Sequence, residues 1–228
     1  MDSGIILVDK PQGWTSHDVV AVVRRQLPRG TRVGHSGTLD PLASGLLVLL
    51  VGRATKSAAV FLGLPKAYSG KIRLGLVTDT GDLAGKVLRE RPVPALTAAE
   101  LQALFDRYHG EVEMPIPAYS AVKYKGKPLY AYARKGIEVP VKTRRSDIME
   151  WTLTGWVPPD AGFMLRCSSG TYARALAMLA GEALGCGGTL SELRREAVGG
   201  YELSSALTLE EVRRRGPIDC LLPAALPA

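Results

Sequence analysis

The chain has 228 residues, 46% hydrophobic and 22% charged, with 29 Lys and Arg against 22 Asp and Glu, a net charge of +7. That balance excludes wholesale disorder, and the length is ample for a buried core in one large domain or two small ones. Cys167, Cys186 and Cys220 are too few and too far apart for a disulfide framework or a cysteine-based zinc site, so a reducing, cytoplasmic setting is expected.

The opening Met1-Asp2-Ser3-Gly4 has no basic region, and the apolar run Ile5 to Val8 is too short for a signal sequence. Gly4 to Asp9 reads as a short buried strand that ends in the turn Lys10-Pro11-Gln12-Gly13. Thr15 or Ser16 can cap a helix whose Val19, Val20, Val23 and Leu27 fit a 3.6 period, stopped by Pro28 and Gly30. Leu46 to Val51 is a continuous apolar strand, too short to span a bilayer, so no membrane association is expected. Ala54 to Leu62 reads as helical, and Tyr68 to Val77 as one strand, followed by the turn Thr78 to Asp82 and a return strand over Lys86 to Arg89.

Thr97 and Glu100 have the spacing of a capping box ahead of Leu101, Leu104, Phe105 and Tyr108. Leu129 to Lys135 predicts a short helix, and Ile148 to Trp156 and Phe163 to Cys167 predict strands. A helix runs from Gly170-Thr171 through Leu176, Leu179 and Leu184 to Gly185. Another follows the capping box Thr208/Glu211 and ends at Gly216-Pro217. The elements mix without a regular βαβ rhythm. An α+β fold with a largely antiparallel sheet fits best, as one domain over 1–228 with no linker to mark a boundary.

Charge is concentrated. Between Ile116 and Arg145 stand Lys123, Lys125, Lys127, Arg134, Lys135, Lys142, Arg144 and Arg145 against Glu138 alone, which equals the net charge of the whole chain. Tyr119, Tyr124, Tyr130 and Tyr132 are interleaved. Cations neutralise phosphates and release counterions, and tyrosine faces stack on bases, so this stretch suits RNA. A solvated loop anchored to the core by its tyrosines has the same composition.

No phosphate-binding loop, dinucleotide fingerprint or nucleophile elbow is present, and His17, His35 and His109 lack metal-ligand spacing, so no metal site is expected. The segment Gly34 to Leu47 stands out. Its glycines let backbone approach a ligand, and Asp40, followed by Pro41, sits between them and the apolar strand. A carboxylate so placed serves as nucleophile or general base. Asp-Pro is equally the signature of a turn whose side chain bonds its own backbone, and on composition alone that reading leads. Tyr68 offers a stacking face and Arg174 a cation that keeps a carboxylate ionised.

Together these pieces resemble the bacterial tRNA pseudouridine synthases that modify the T-loop uridine. The family's opening motif is matched by Leu7-Val8-Asp9-Lys10-Pro11-Gln12-Gly13-Trp14-Thr15-Ser16, and its Gly-His-x-Gly-x-Leu-Asp-Pro-x-Ala-x-Gly motif by Gly34 to Gly45. Ala54-Thr55-Lys56, Lys66-x-Tyr68, Gly75-x-x-Thr78-Asp79-Thr80-x-Asp82, Pro117-x-Tyr119-Ser120-Ala121-Val122-Lys123 and Gly126-Lys127 follow in order. Cys167-Ser168-x-Gly170-Thr171-Tyr172-x-Arg174 and Leu193-Arg194-Arg195 complete the set.

The resemblance implies a pseudouridine synthase core, a mixed and mainly antiparallel sheet around a central cleft, working without metal or organic cofactor. It implies that Asp40 is the catalytic carboxylate, by attack on C1′, addition to C6 or abstraction of a ribose proton. It implies that Tyr68 stacks on the uracil, that Arg174 pairs with Asp40, and that Tyr172 and Leu193 wall the pocket. His35 would enter the T loop where bases flip out. Lys10 and Lys56 are expected at the substrate or in support of it. Residues 116–145 become a thumb that clamps a tRNA T stem-loop, with Lys123, Lys125, Lys127 and Arg134 on the RNA backbone. A monomer is expected, without the C-terminal PUA-type RNA-binding domain of typical members. Two alternatives to this reading are a non-catalytic tRNA-folding chaperone and a synthase acting on another RNA.

Overall fold

The computed structural model describes residues 3–140 and 143–224. In chain order the elements are β1 (Gly4–Lys10), α1 (Ser16–Arg25), β2 (Val33–His35), β3 (Ser44–Val51), α2 (Ala58–Gly63), β4 (Lys66–Leu74), β5 (Leu76–Thr78), β6 (Val87–Glu90), α3 (Ala98–Asp106) and β7 (Gly110–Pro115). They continue with β8 (Lys123–Tyr124), β9 (Lys127–Pro128), α4 (Leu129–Ala133), β10 (Thr143–Val157), β11 (Asp160–Cys167), α5 (Ala173–Ala183), β12 (Gly188–Val198), β13 (Tyr201–Glu202), β14 (Leu207–Thr208) and α6 (Leu209–Arg215). Lys142, counted in the basic stretch, and the tail beyond residue 224 lie outside the described residues. Strand pairing is mixed and mainly antiparallel, an α+β architecture. The chain forms two compact units, Met1–Ser69 with Leu193–Ala228, and Gly70–Glu192. Both divisions fall inside strands, β4 and β12, so no composition shift marks them.

In the first unit, β3 pairs antiparallel with β1 from Gly45↔Lys10 to Val51↔Gly4, and parallel with β12 at Ser44↔Arg194 and Gly45↔Arg195. The run Leu46 to Val51 is apolar at every position because both faces of this sheet are covered. Leu47, Leu49 and Val51 join Ile6 and Val8 beneath Val19, Val20 and Val23 of α1 and Val212 of α6. Leu46, Val48 and Leu50 turn the other way, onto Ile5, Leu7 and Phe61 of α2. Each such fully buried side chain contributes about 1.5–3 kcal/mol of transfer free energy. Thr15 caps α1, accepting from Asp18 N, while the Asp18 carboxylate accepts from Thr15 N at 2.9 Å.

In the second unit, β10 is flanked by β7 and β11, both antiparallel. Helix α3 carries the expected Thr97/Glu100 box and lays Phe105 on Trp151, rings stacked 4.1 Å apart. Gln102 completes the contact, donating to Trp151 O and accepting from Leu153 N. Helix α5 approaches backbone closely at Gly181, where a Cβ would lie 2.0 Å from Gly187 C.

Two expectations need correction, and one long strand is an addition. The single strand expected over Tyr68 to Val77 is two, β4 and β5, broken at Gly75, which adopts φ +82. The helix expected from Ala54 starts as a 3-10 turn, Gly52–Ser57, and becomes α-helical only at Ala58. Strand β12 was not foreseen, because Glu192, Arg194, Arg195 and Glu196 break any apolar alternation.

Candidate active site

Asp40 is half-buried in the loop that joins β2 to β3. The loop is pinned along its length. Ser16, at the start of α1, accepts from Leu39 N at 2.8 Å and donates to Leu39 O at 3.2 Å through the same hydroxyl. Pro41 O accepts from Gly13 N at 2.7 Å, and Asp40 O accepts from Ala43 N at 3.0 Å. The Asp40 backbone is therefore fixed by the opening motif, residues far from it in sequence.

The main fastening is Arg195 on β12, only 1% exposed. Its guanidinium donates to Leu46 O at 2.7 Å and to Gly37 O at 3.2 Å, thus gripping the chain on both sides of Asp40. It also donates to the hydroxyl of Tyr68. Burial holds this guanidinium below its ordinary pKa, and Tyr68 offsets part of that. The close approach demands glycine at position 45, where φ is +99 and a Cβ would lie 2.4 Å from Arg195 O.

Lys10 is fully buried. Its ammonium donates to Pro11 O at 3.0 Å and Trp14 O at 2.6 Å, so it shapes the opening turn and is not presented at the surface. Burial lowers its pKa to about 8, against the opposing pull of the Asp40 carboxylate. His35 is half-buried at the end of β2, with Nδ1 accepting from Gly37 N at 3.3 Å. Burial, with Arg195 and His17 adding repulsion, lowers its pKa and leaves the ring uncharged at neutral pH. Lys10, His35, Asp40 and Tyr68 thus gather around Arg195, with half-buried Leu193 two residues earlier on β12. Lys56 stands apart, exposed on the 3-10 turn.

The second unit holds the other expected residues. Tyr172 precedes α5, and Arg174 in its first turn is buried. Arg174 donates to Thr80 O at 2.7 Å and Tyr119 O at 2.9 Å, with Asp82 3.8 Å from its Nε. In the 116–145 segment, Lys125 turns the β8–β9 hairpin at φ 44, and Lys123, Lys125, Lys127 and Arg134 are all exposed. Tyr124 and Tyr132 pack edge to face, Arg134 lies over the Tyr130 ring, and Arg145 is paired with Glu111 at 3.2 Å. Part of the aromatic content therefore anchors the segment to itself.

Reading residues singly misses Ser16, Asp82 and Arg195 as organisers. Each lies in a quoted motif, but serine, aspartate and arginine are mostly surface residues, and nothing local announces their burial. Among the described residues no cluster of three His, Cys, Asp or Glu is arranged to hold a metal, and no helix is long and apolar enough to cross a membrane.

The architecture is a fold class shared with solved structures. It superposes on the crystal structure of a Cbf5–Nop10–Gar1 complex with TM-score 0.74 and 25% identity, over 97% of this chain and 60% of that one. An H/ACA RNP bound to a substrate RNA containing 2′-deoxyuridine gives TM-score 0.68 at 24% identity, over 92% and 52%. The chain thus spans only half to three-fifths of those solved chains. Within the class, it belongs to the TruB family of pseudouridylate synthases, whose N-terminal domain model matches residues 24–173. The tRNA pseudouridine synthase B of Opitutus terrae is 46% identical over 92% of this chain and 86% of its own length. That of Geobacillus kaustophilus is 45% identical over 96% and 80%.

Proposed function

We propose that this protein converts uridine to pseudouridine in the T loop of tRNA, at the position conventionally numbered 55. The N1–C1′ bond breaks, the uracil turns, and C5 joins C1′; C5 gives up its proton and N1, which carries none in uridine, takes one up, so product and substrate are isomers. No net redox change or group transfer occurs, so the residues need supply only positioning, one carboxylate and a proton acceptor.

The observation that carries this reading is the fixed loop. Asp40 is the only acidic residue in the run from Val33 to Val51, and its backbone is pinned by Ser16, Gly13 and Arg195. A carboxylate locked by distant parts of the chain is preorganised for attack, where a simple turn aspartate needs no such bracing. Tyr68, its hydroxyl held by Arg195, presents a ring of fixed orientation to a flipped base. Tyr172, Arg174 and Leu193 complete the substrate contacts, and Lys123, Lys125, Lys127 and Arg134 hold the T stem-loop backbone. Lys56 adds a solvent-facing cation. The enzyme acts as a monomer in the cytoplasm. A chaperone that only refolds tRNA would not need the Asp40–Arg195 framework.

Replacing Asp40 by Asn keeps the size and removes the charge. Tritium release from C5-labelled tRNA should fall by at least about 10³-fold while the RNA dissociation constant stays within roughly twofold. Turnover retained in that variant would reject the assignment.

A further inference from the structure

Within the first unit, a cavity of about 830 Å³ lies beside the Lys10–Trp14 turn, bordered by α6 and the start of β3. Gln12, Trp14, Gln26, Arg194, Arg213 and Arg214 line it. Arg194 is fixed at its wall, donating to Asp9 at 2.8 Å and Ser44 Oγ at 3.2 Å. Arg213 and Arg214 are exposed, and no carboxylate lies within 4 Å of either among the described residues, whereas Arg215 faces Glu211. Among the described residues, Glu210 and Asp9 are the acidic side chains on the lining. The Trp14 indole is 38% exposed, and its carbonyl is held by buried Lys10, so an apolar ring stands at the surface on a rigid base.

Two unpaired guanidinium groups, two side-chain amides and an exposed indole around one hollow match the chemistry of a nucleotide: anionic phosphate, polar base edge, stacking face. We propose that this cavity is a second RNA contact, which takes a phosphodiester on Arg213 and Arg214 and a base against Trp14, outside the nucleotide that Asp40 transforms. The proposal rests on the isomerase reading above, and it adds a contact far in sequence from the basic 116–145 segment.

The test uses the full chain and unmodified tRNA. The double variant Arg213→Ala/Arg214→Ala should weaken binding roughly tenfold near 0.1 M salt and flatten the slope of log affinity against log salt by about 1.5. Trp14→Phe should remove most of the tRNA-induced change in tryptophan fluorescence. Arg107→Ala, which takes an exposed charge from the end of α3, serves as the control and should leave the slope unchanged. Unaltered thermal unfolding of the variants confirms that they fold. Wild-type affinity and slope in the double variant, or an unchanged fluorescence response in Trp14→Phe, would overturn the cavity as an RNA site. Failure of wild-type protein to form pseudouridine overturns the isomerase reading instead, and the two failures are read separately.

Discussion

Two buried cations, Arg195 and Lys10, carry the burial cost of this site, and each is held by backbone carbonyls. Arg195 has no exposed surface to speak of, yet its guanidinium meets Leu46 O, Gly37 O and Tyr68. A buried cation so satisfied is costly to leave half-paired, which ties the loop to one geometry. Lys10 shows the cost most directly. Burial takes its pKa from 10.5 to about 8, the Asp40 charge opposing. Between about pH 8 and 10.5 the unfolded chain binds the proton that the folded chain has released, so stability rises with pH across that window. Below pH 8 the ammonium is charged in both states and its penalty is fully present. Lys10→Met removes the titration, so wild type should gain up to roughly 3 kcal/mol relative to the variant from pH 7 to 10.5, as urea unfolding at each pH would show. A constant difference would mean that water reaches the ammonium. Lys10 is wholly buried and its ammonium is held by backbone carbonyls of the opening turn.

At the level of elements, the parallel seam of β3 on β12 holds the site together. Gly45 faces Arg195 across it, with φ +99 and no room for a Cβ. Gly45→Ala must therefore strain its own backbone and push the strands apart where Arg195 enters. We expect a loss of roughly 2–4 kcal/mol in chemical denaturation, with turnover reduced beyond what the unfolded fraction explains. Elements with local signals were legible in advance: the capping boxes at Thr97 and Thr208 are formed as spaced, and of the two caps open to α1 it is Thr15 that caps it, in a box with Asp18 that the sequence reading did not name. Strand β12 was not, because its polar residues are satisfied by partners on β3 and β4 that sequence spacing cannot reveal, such as Glu196 accepting from Ser69.

For the molecule as a whole, charge and chemistry occupy separate stretches of chain. The basic excess of residues 116–145 equals the entire net charge, and Lys123, Lys125 and Lys127 project from the β8–β9 hairpin into solvent. Surface cations of this kind supply affinity that salt screens, and contribute little to the bond-breaking step. Lys123, Lys125 and Lys127 changed together to alanine should flatten the salt dependence of tRNA binding by about 2–3, measured by titration across a salt series. Turnover of bound RNA should be little affected. A slope equal to that of wild type would move the main RNA contact elsewhere. The matching family model runs from α1 into α5 and takes in the Asp40 loop and the basic segment together.

Read as a string, the chain already disclosed its fold class, several of its strands and caps, the basic segment, and Asp40 as a candidate through an ordered series of motifs. Those are properties of neighbours in sequence, where periodicity, spacing and charge density are local quantities. Folding was needed to show that Arg195 rather than a surface group fastens the Asp40 loop, that Lys10 is interior, and that Trp14 and Arg213 share a hollow. Such facts depend on which distant polar atoms meet once water is excluded, and a buried ion pair or carbonyl contact leaves no trace in the residues adjacent to it.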